Sequence, residues 1–564
     1  MWNGNSSMQF LNRVQKVFYC KGFNISILFT LLGFSLVASL AQESTEKNTS
    51  SDGNQTFVAR EWYFPGTSIF SQSQLAEQVE SFTNQELTFN QLVEVTSRIE
   101  QFYKDQGALG RATIPPQDVT SGRIQVDIVE ARLGDVRYDT SGSTSVNEEI
   151  VTAIVKDKVI VGDFYNAKFL DRRILIADDL PGVSLSGFLQ ASNKPGHVDL
   201  VFKSSKEPPY IADLSVDNAN SRSLGSKRIT FNGMLVSPFR RGETIALQTL
   251  RSEGSRYARL SYGFPLGSGG WRMNLNGSRM NYRVVSKDLA SLKIAGKVNE
   301  QGFSLRYPII RTREGNLYTT IQFDDRSYET TVANAVQKDY SIKNTKVEFS
   351  SSFFDSFVGG GANSGSFSFT HGNVSGFNVS DASHTIINYA LSRQQALTEK
   401  LSLYTSFQGQ YGLDIPTGNP QQINIPIANP QQIAESEQSY LDSAENFSLG
   451  GLGGIRAYPS GEASGPQGQK LNVELRYLAN KNLILKPFYD WGMVEKRDPS
   501  SLGPSGYEIS GAGLNASWTA PLGFSVQATY ARRIGQNPNP QPTGMDQDGS
   551  LKENRVWIVL ARSF

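Results

Sequence analysis

Two small α+β domains followed by an all-β transmembrane barrel of about 16 antiparallel strands is the fold class that this 564-residue sequence predicts. Three observations lead to it. The amino terminus has the build of a secretory signal. Residues 57–205 carry two consecutive patterns of strand, helix, helix, strand, strand. From Tyr210 to Phe564 helical spacing disappears and apolar and polar residues alternate with period two.

Residues 1–41 are expected to be a signal peptide. Arg13, Lys16 and Lys21 form its basic region, Ile25 to Leu36 its apolar stretch, and Ser39-Leu40-Ala41 its cleavage site. The apolar stretch is short for a spanning helix, and no other run is long enough to be one, so a membrane-embedded mature chain has to cross as a closed barrel. Cys20 is the only cysteine and falls in the segment to be removed, which takes cysteine catalysis, cysteine metal sites and disulfides out of consideration. His197, His371 and His384 are too scattered for a metal cluster, and no cofactor is expected. A net charge of +1 gives no nucleic-acid surface.

Residues 42–56 are polar and read as a linker without the apolar face that a stable plug helix needs. The first α+β domain is expected at 57–131. Trp62, Phe64 and Ile69 offer a strand, and Ser71 caps a helix through Leu75, Val79 and Phe82. Thr88 caps a second helix whose apolar face is Leu92, Val95, Ile99 and Phe102, ended by Gly107. Ala112–Ile114 and Ile124–Val129 are the closing strands, separated by Pro115-Pro116. The second domain, 132–205, repeats the order: a strand at Gly134–Tyr138, helices at Asn147–Lys156 and Asn166–Ala177, and strands at Ser184–Gln190 and Val198–Lys203.

Residues 206–564 are assigned to the barrel. Trp271, Met273 and Leu275 alternate with Arg272, Asn274 and Asn276; Leu471, Val473 and Leu475 alternate with Asn472, Glu474 and Arg476. Apolar-out, polar-in alternation is the mark of a barrel with a wet lumen, although a soluble sandwich alternates too. The signal segment, the aromatic strand ends and the C-terminal Phe564 favour the barrel. At roughly 22 residues per strand and connection the region holds about 16 strands. Residues 413–447 read as a long surface loop with a near-repeat, Asn419–Ile423 and Asn429–Ile433.

The stretch 448–469 stands apart. Gly450-Gly451-Leu452-Gly453-Gly454-Ile455-Arg456-Ala457-Tyr458-Pro459-Ser460-Gly461-Glu462 is too rich in glycine for a helix or strand. It places one arginine beside an aromatic in a permissive backbone. On the strand Leu483 to Val494, the residues Leu483, Leu485, Pro487, Tyr489, Trp491 and Met493 form an apolar outer face. Lys486, Phe488, Asp490 and Gly492 face the lumen, because an ionised aspartate against lipid is strongly unfavourable. A bidentate pair of Arg456 with Asp490 would hold the loop inside the barrel. Composition alone favours two solvated charges in a wide pore.

The run Glu445 to Gly465 resembles the conserved loop of the two-partner secretion transporters. These are the haemolysin-activator and filamentous-haemagglutinin-transporter (ShlB/FhaC/HecB-like, TpsB) proteins of the BamA/TpsB superfamily. Ile455-Arg456-Ala457-Tyr458 is similar to the family's (V/I)R(G/A)Y pattern, and Pro459, Gly461 and Glu462 to its continuation. Phe488-Tyr489-Asp490-Trp491-Gly492 resembles the family's lumenal F-x-D-x-G strand, whose aspartate pairs with the loop arginine. Phe102-Tyr103 through Gly107 with Pro115-Pro116-Gln117-Asp118 resembles the end of a POTRA domain, and Val216-Asp217-Asn218 the start of the first barrel strand. Pro466, where many members carry aspartate, and Arg562, in the apolar C-terminal series, depart from the pattern.

The resemblance implies two periplasmic POTRA domains and a 16-stranded outer-membrane barrel. It implies export, without a catalytic site, of an unfolded β-helical passenger of haemolysin or adhesin type. Outer-membrane lipids would surround the barrel, and periplasmic chaperones and the barrel-assembly machinery would serve its biogenesis. The alternative within the superfamily is an assembly factor that inserts other barrels. A passive porin has no need of the domains at 57–205. Neither the histidines nor Gly359-Gly360-Gly361, which no Lys-Ser/Thr follows, supplies an enzyme's constellation.

Overall fold

The computed structural model describes residues 56–139, 141–142, 144–377, 382–413, 441–495 and 506–564. The expected signal segment, nearly all of the expected linker and the Asn-Pro-Gln-Gln-Ile near-repeat lie outside them. The chain divides into two compact units, the first ending at Glu207 and the second running from Pro208 to Phe564.

The first unit holds both α+β domains. In the first of these the strand Glu61–Tyr63 is parallel to Arg123–Gln125, and Gly110–Thr113 is antiparallel to Asp127–Glu130. The first strand is shorter than the sequence suggests: Pro65 and the turn at Gly66 end it, and Ile69 lies beyond. The expected strand Ile124–Val129 breaks at Val126, where its pairing passes from one neighbour to the other. The linker expectation reaches one residue too far, since Thr56 pairs with Thr88.

Both helices start on capping boxes. The Ser71 amide donates to Gln74 Oε1 (2.9 Å) and the Thr88 amide to Gln91 Oε1 (2.8 Å). On the long helix Phe89–Asp105 the buried face is Leu92, Val95, Ile99 and Tyr103; Phe102 packs at its edge against Phe70. Tyr103 rather than Phe102 continues the stack because i+4 keeps it in line with Val95 and Ile99. Its hydroxyl donates to Glu130 Oε1 (2.8 Å), and the same carboxylate accepts the Ser68 and Ile69 amides. Burial pushes the Tyr103 hydroxyl well above its ordinary range.

The second domain has the same order. The strand Arg132–Asp139 runs parallel to His197–Lys206, which is antiparallel to the edge strand Val183–Ala191. Asn147 and Asn166 cap the helices Glu148–Lys156 and Ala167–Asp178. Buried Arg173 on the second helix donates twice to the Ile154 carbonyl and pairs with Asp157, tying the helices together.

The second unit is a closed barrel of 16 antiparallel strands. It begins at Tyr210–Asp217 and ends at Asn554–Ser563; these two strands pair over Asp213–Asp217 and Val559–Ser563 to close the circle. The Asn218 side chain prolongs that seam, donating to the Val556 carbonyl (3.0 Å) and accepting from the Ile558 amide (2.8 Å). The longest strands, Gly315–Val332 and Ala335–Asp355 with 18 and 21 residues, exceed the roughly 10 that a bilayer needs, so this side of the wall rises past the membrane. Alternation sorts the wall as expected: Leu260, Leu275, Tyr489 and Leu514 are exposed outward, while Asn276, Asn515 and Thr529 are buried on the other face. Arg562 lies over the rings of Phe524 and Phe564, which explains how the last strand accommodates a cation. His371 and His384 sit on neighbouring wall strands, Gly361–Phe377 and Ala382–Ala396.

Candidate functional site

Between the strands Leu401–Gly412 and Gln467–Asn480 the chain folds into a self-contained loop. Phe447–Ser448 pairs with Ser464–Gly465 at its neck. Inside, the Leu449 amide donates to the Ala463 carbonyl (3.0 Å), Gly450 to Glu462 (3.0 Å), Ile455 to Leu449 (2.8 Å) and Gly451 to Tyr458 (3.1 Å). The expected loop, 448–469, overshoots at its far end, since Gln467 already belongs to the strand Gln467–Asn480. Gly454 is dictated by crowding: a Cβ there would stand 1.8 Å from the Leu449 carbonyl oxygen.

One face of the loop is apolar. Leu449, Ile455, Ala457, Tyr458 and Ala463 are fully buried and pack with Phe488, Val494, Tyr507, Ile509 and Ala531 of the wall. Gly492 makes this approach possible, because a Cβ there would lie 2.7 Å from Leu449 Cδ2. Pro459 and Gly461 form the tip. The Glu462 amide donates to the Pro459 carbonyl (3.2 Å), and Gly461 takes a φ of 90°.

Arg456 lies at the centre. Its Nε donates to Asp490 Oδ2 (2.9 Å) and its Nη2 to Asp490 Oδ1 (2.7 Å), and its backbone amide also donates to Oδ2 (3.0 Å). Its Nη1 donates to Glu474 Oε1 (2.8 Å), and the guanidinium lies 3.4 Å from the centre of the Phe488 ring. The Arg456 carbonyl accepts from Trp557 Nε1 (2.8 Å). Asp490 has no exposed surface and receives a further bond from Asn472 Nδ2 (2.9 Å). Burial alone would lower the Arg456 guanidinium, but the hydrogen bonds and charge of Asp490, with Glu474, more than offset it and hold the group firmly protonated.

Other bonds fix the rest of the loop. Lys470 Nζ donates to the Gly453 carbonyl (3.2 Å), Asn472 Nδ2 to that of Gly454 (3.1 Å), and Ser460 Oγ to that of Ala219 (2.9 Å). Arg533 lies over the Tyr458 ring (4.5 Å) and pairs with Asp546, which also receives Arg555. Glu462 accepts from Asn537 Nδ2 (2.7 Å) and the Gln547 amide (2.9 Å). Burial pushes its carboxyl above the usual carboxylate range, against the pull of those donors.

These partners come from strands on both sides of the barrel seam. Just before the loop's neck, Glu445 reaches Arg326 on Gly315–Val332 and Asn344 on Ala335–Asp355. Only the inside of a closed barrel is within reach of all these walls at once, so the loop occupies the lumen. The structure thus brings together Gly454, Ile455, Arg456, Ala457, Tyr458, Pro459, Gly461 and Glu462 with Phe488, Asp490 and Gly492. Sequence reasoning missed Lys470, Glu474, Arg533, Asp546, Trp557 and Glu445 as partners. Glu474 and Asn472 could be placed on an inward face, but nothing in the alternation said which inward residues meet the loop.

The family model described as haemolysin secretion/activation protein ShlB/FhaC/HecB matches residues 196–518, and a ShlB-type POTRA domain model matches residues 57–131. The chain belongs to the ShlB/FhaC/HecB family. It is an outer-membrane transporter of the two-partner secretion class, with periplasmic POTRA architecture ahead of its barrel. The heme/hemopexin transporter protein HuxB of Haemophilus influenzae is 21% identical over 518 residues, covering 87% of this chain and 84% of the relative. The solved structure of CdiB from Escherichia coli has the same fold, with a TM-score of 0.69 at 15% identity over 93% of each chain. CdiB from Acinetobacter baumannii gives 0.63 at 16% identity, covering 94% of this chain and 96% of that one. BamA from Haemophilus ducreyi lacking POTRA domains 1-3 gives 0.51 at 12% identity. Since the POTRA domains of this ShlB/FhaC/HecB protein precede Tyr210, the rim at which that strand starts is periplasmic, and the connection 413–466, which carries the Arg456 loop, belongs to the outer rim.

Proposed function

We propose that the ShlB/FhaC/HecB loop of this chain is the lock of its export channel. An unfolded TpsA-type passenger reaches the periplasm and is held by the two α+β domains. The free edge of Val183–Ala191, with Phe188 exposed beside it, suits capture of an extended chain by strand addition. The passenger then enters the barrel, where the docked loop bars its way, and displaces it. Passage draws on the folding of a β-helical passenger of haemolysin or adhesin type outside. Lipids meet the outward aromatic face of the barrel, and chaperones and the assembly machinery deliver it there. No catalytic step is required, and the site residues proposed are Arg456 with its loop and Asp490 with its strand.

The observation that carries this reading is the burial of Arg456 between two carboxylates inside the closed barrel. A buried charge kept so completely paired, in a loop seated inside the barrel, serves as a fastening. Removing Arg456 leaves Asp490 buried without its guanidinium, and removing Asp490 leaves Arg456 with Glu474 alone, at up to about 3–5 kcal/mol of docking free energy.

The test compares culture supernatants by mass spectrometry with and without the protein, and with Arg456→Ala and Asp490→Ala. Loss of one large β-repeat-rich protein without the transporter, and impaired export from both variants with the barrel still inserted, is the expected result. Normal export from both variants would refute the lock. An unchanged supernatant with several outer-membrane barrels depleted would make the chain an assembly factor instead.

A further inference from the structure

We propose that Glu445 and Arg326 form a second fastening of the loop, on a different sector of the wall, which has to part as well before the lumen clears. The inference rests on the loop being a lock, and it assigns positioning roles to two residues outside the arginine motif.

The arm Leu441–Asn446 leads into the loop's neck. Asp442 accepts from the Ala444 amide (2.8 Å) and from Tyr340 Oη (3.3 Å), and fixes the short turn Ser443–Glu445. That turn presents Glu445 to the wall. Its carboxylate accepts from Arg326 Nη2 (2.5 Å) and Asn344 Nδ2 (3.3 Å). The side chains of Arg326 and Glu445 are only 20% and 10% exposed. The Glu445 carbonyl accepts from Gln410 Nε2 (2.8 Å), and the same amide reaches the Pro466 carbonyl (3.1 Å), so one side chain gathers both ends of the loop. Apolar contacts support the arm: Ala444 packs on Tyr340, Ile342 and Val374, and Leu441 on Ile386.

The placement separates this pair from the one at Arg456. Strands Gly361–Phe377, Ala382–Ala396, Leu401–Gly412 and Gln467–Asn480 stand between Ala335–Asp355, which holds Asn344, and Leu483–Glu495, which holds Asp490. The loop's far end is covalently continuous with Gln467–Asn480, next to the Asp490 strand, so Arg456 secures a part of the loop already tethered there. Among the described residues, Glu445 makes the ion pair that fixes the near end to the wall, beside the contacts of Gln410, Tyr340 and Ile386. Each fastening thus adds separately to the closed state, and loss of either one raises the open fraction without removing the other hold. Beside the strap lies a polar recess of about 290 Å³, lined by Glu300, Asp324, Arg326, Lys346, Asn388 and Glu445, so the fastening borders open lumen.

The experiment records the conductance of the purified full-length protein in planar lipid bilayers, with heat-resistant migration on gels as the check that each variant is a folded barrel. Wild type, Arg326→Gln, Glu445→Gln, Arg456→Ala and the charge swap Arg326→Glu/Glu445→Arg are compared. The expected result is that both neutralised variants raise the fraction of time spent open by about tenfold or more, and that the swap returns it towards wild type. If Arg456→Ala opens the channel and Arg326→Gln does not, the second fastening is wrong and the lock at Arg456 stands. If Arg326→Gln opens it but the swap fails to restore closure, the pair is not what holds the arm, and the inference is overturned. If none of the variants opens it, the lock reading falls and takes this inference with it.

Discussion

Arg456 owes its selectivity to geometry as well as to charge. It meets Asp490 with a two-pronged contact, gives a third direction to Glu474 and lays its plane on Phe488. Lysine reproduces none of these beyond one charge. Arg456→Lys should therefore impair export nearly as much as Arg456→Ala, which a secretion assay checks; full activity of the lysine variant would reduce the site to a simple ion pair. Glu462 gives the loop a pH dependence of known sign. Its carboxyl is raised by burial in the docked loop, so the docked state binds a proton more readily than the free loop does. Docking gains as pH falls from above the raised value towards the ordinary carboxylate range, and loses that gain as pH rises again. Channel openings should become rarer on acidification through that window, and Glu462→Gln should flatten the profile. Arg456 and Asp490 stood out because each breaks a rule, a lone cation among glycines and an acid on a strand whose other face is wholly apolar, but composition favoured two solvated charges and only the resemblance to the family's loop and F-x-D-x-G strand turned them into a pair. Glu445, Lys470 and Trp557 break none. An inward polar residue has the same sequence signature whether it faces water or a loop, and only the register around the wall decides.

At the scale of elements, the glycines act through what they allow to come close. Gly492 lets Leu449 rest on the backbone of the Asp490 strand. Gly492→Val should lift the loop without touching a charge, giving the open-channel and export phenotype of Arg456→Ala while Asp490 is intact. A wild-type conductance record would show that the apolar face contributes nothing to docking. The elements themselves were largely readable. Ser71, Thr88, Asn147 and Asn166 all sit at helix starts: the Asn147 and Asn166 side chains accept free amides, and at Ser71 and Thr88 the glutamine three positions on accepts the cap's own amide. The break at Val126 was not readable, because it depends on which neighbour a strand finds, and that is settled by tertiary packing; the early end at Tyr63 did carry a local signal, Pro65-Gly66, which the expected strand ran through.

For the molecule as a whole, the chain divides at Glu207 and Pro208 into two compact units, so a lesion in the first can be read apart from the barrel. Ile99 is fully buried in the core of the first α+β domain. Ile99→Ala should cost that domain about 2–5 kcal/mol. Export should fall with it, while the conductance of the barrel in bilayers stays that of wild type. A changed conductance would mean that the first domain acts on the lumen directly. The strand number followed from length and spacing alone, because a barrel repeats one simple unit. The seam did not, since the pairing of Tyr210–Asp217 with Asn554–Ser563 joins residues from opposite ends of the chain.

The loop's neck and its internal backbone bonds make it a small folded body in its own right, with Leu449, Ile455 and Ala463 closed under a two-residue ladder. The wall covers its apolar face and takes up some of its backbone groups, but the ladder and the bonds within the loop are its own. On the lock reading, a loop that kept those internal bonds when pushed aside would return to its seat at a smaller cost in ordering entropy than a chain that had to refold. Such a gate would reset at the pace of a small folded body finding its seat, ready for the next passenger as soon as the tail of the last one had cleared.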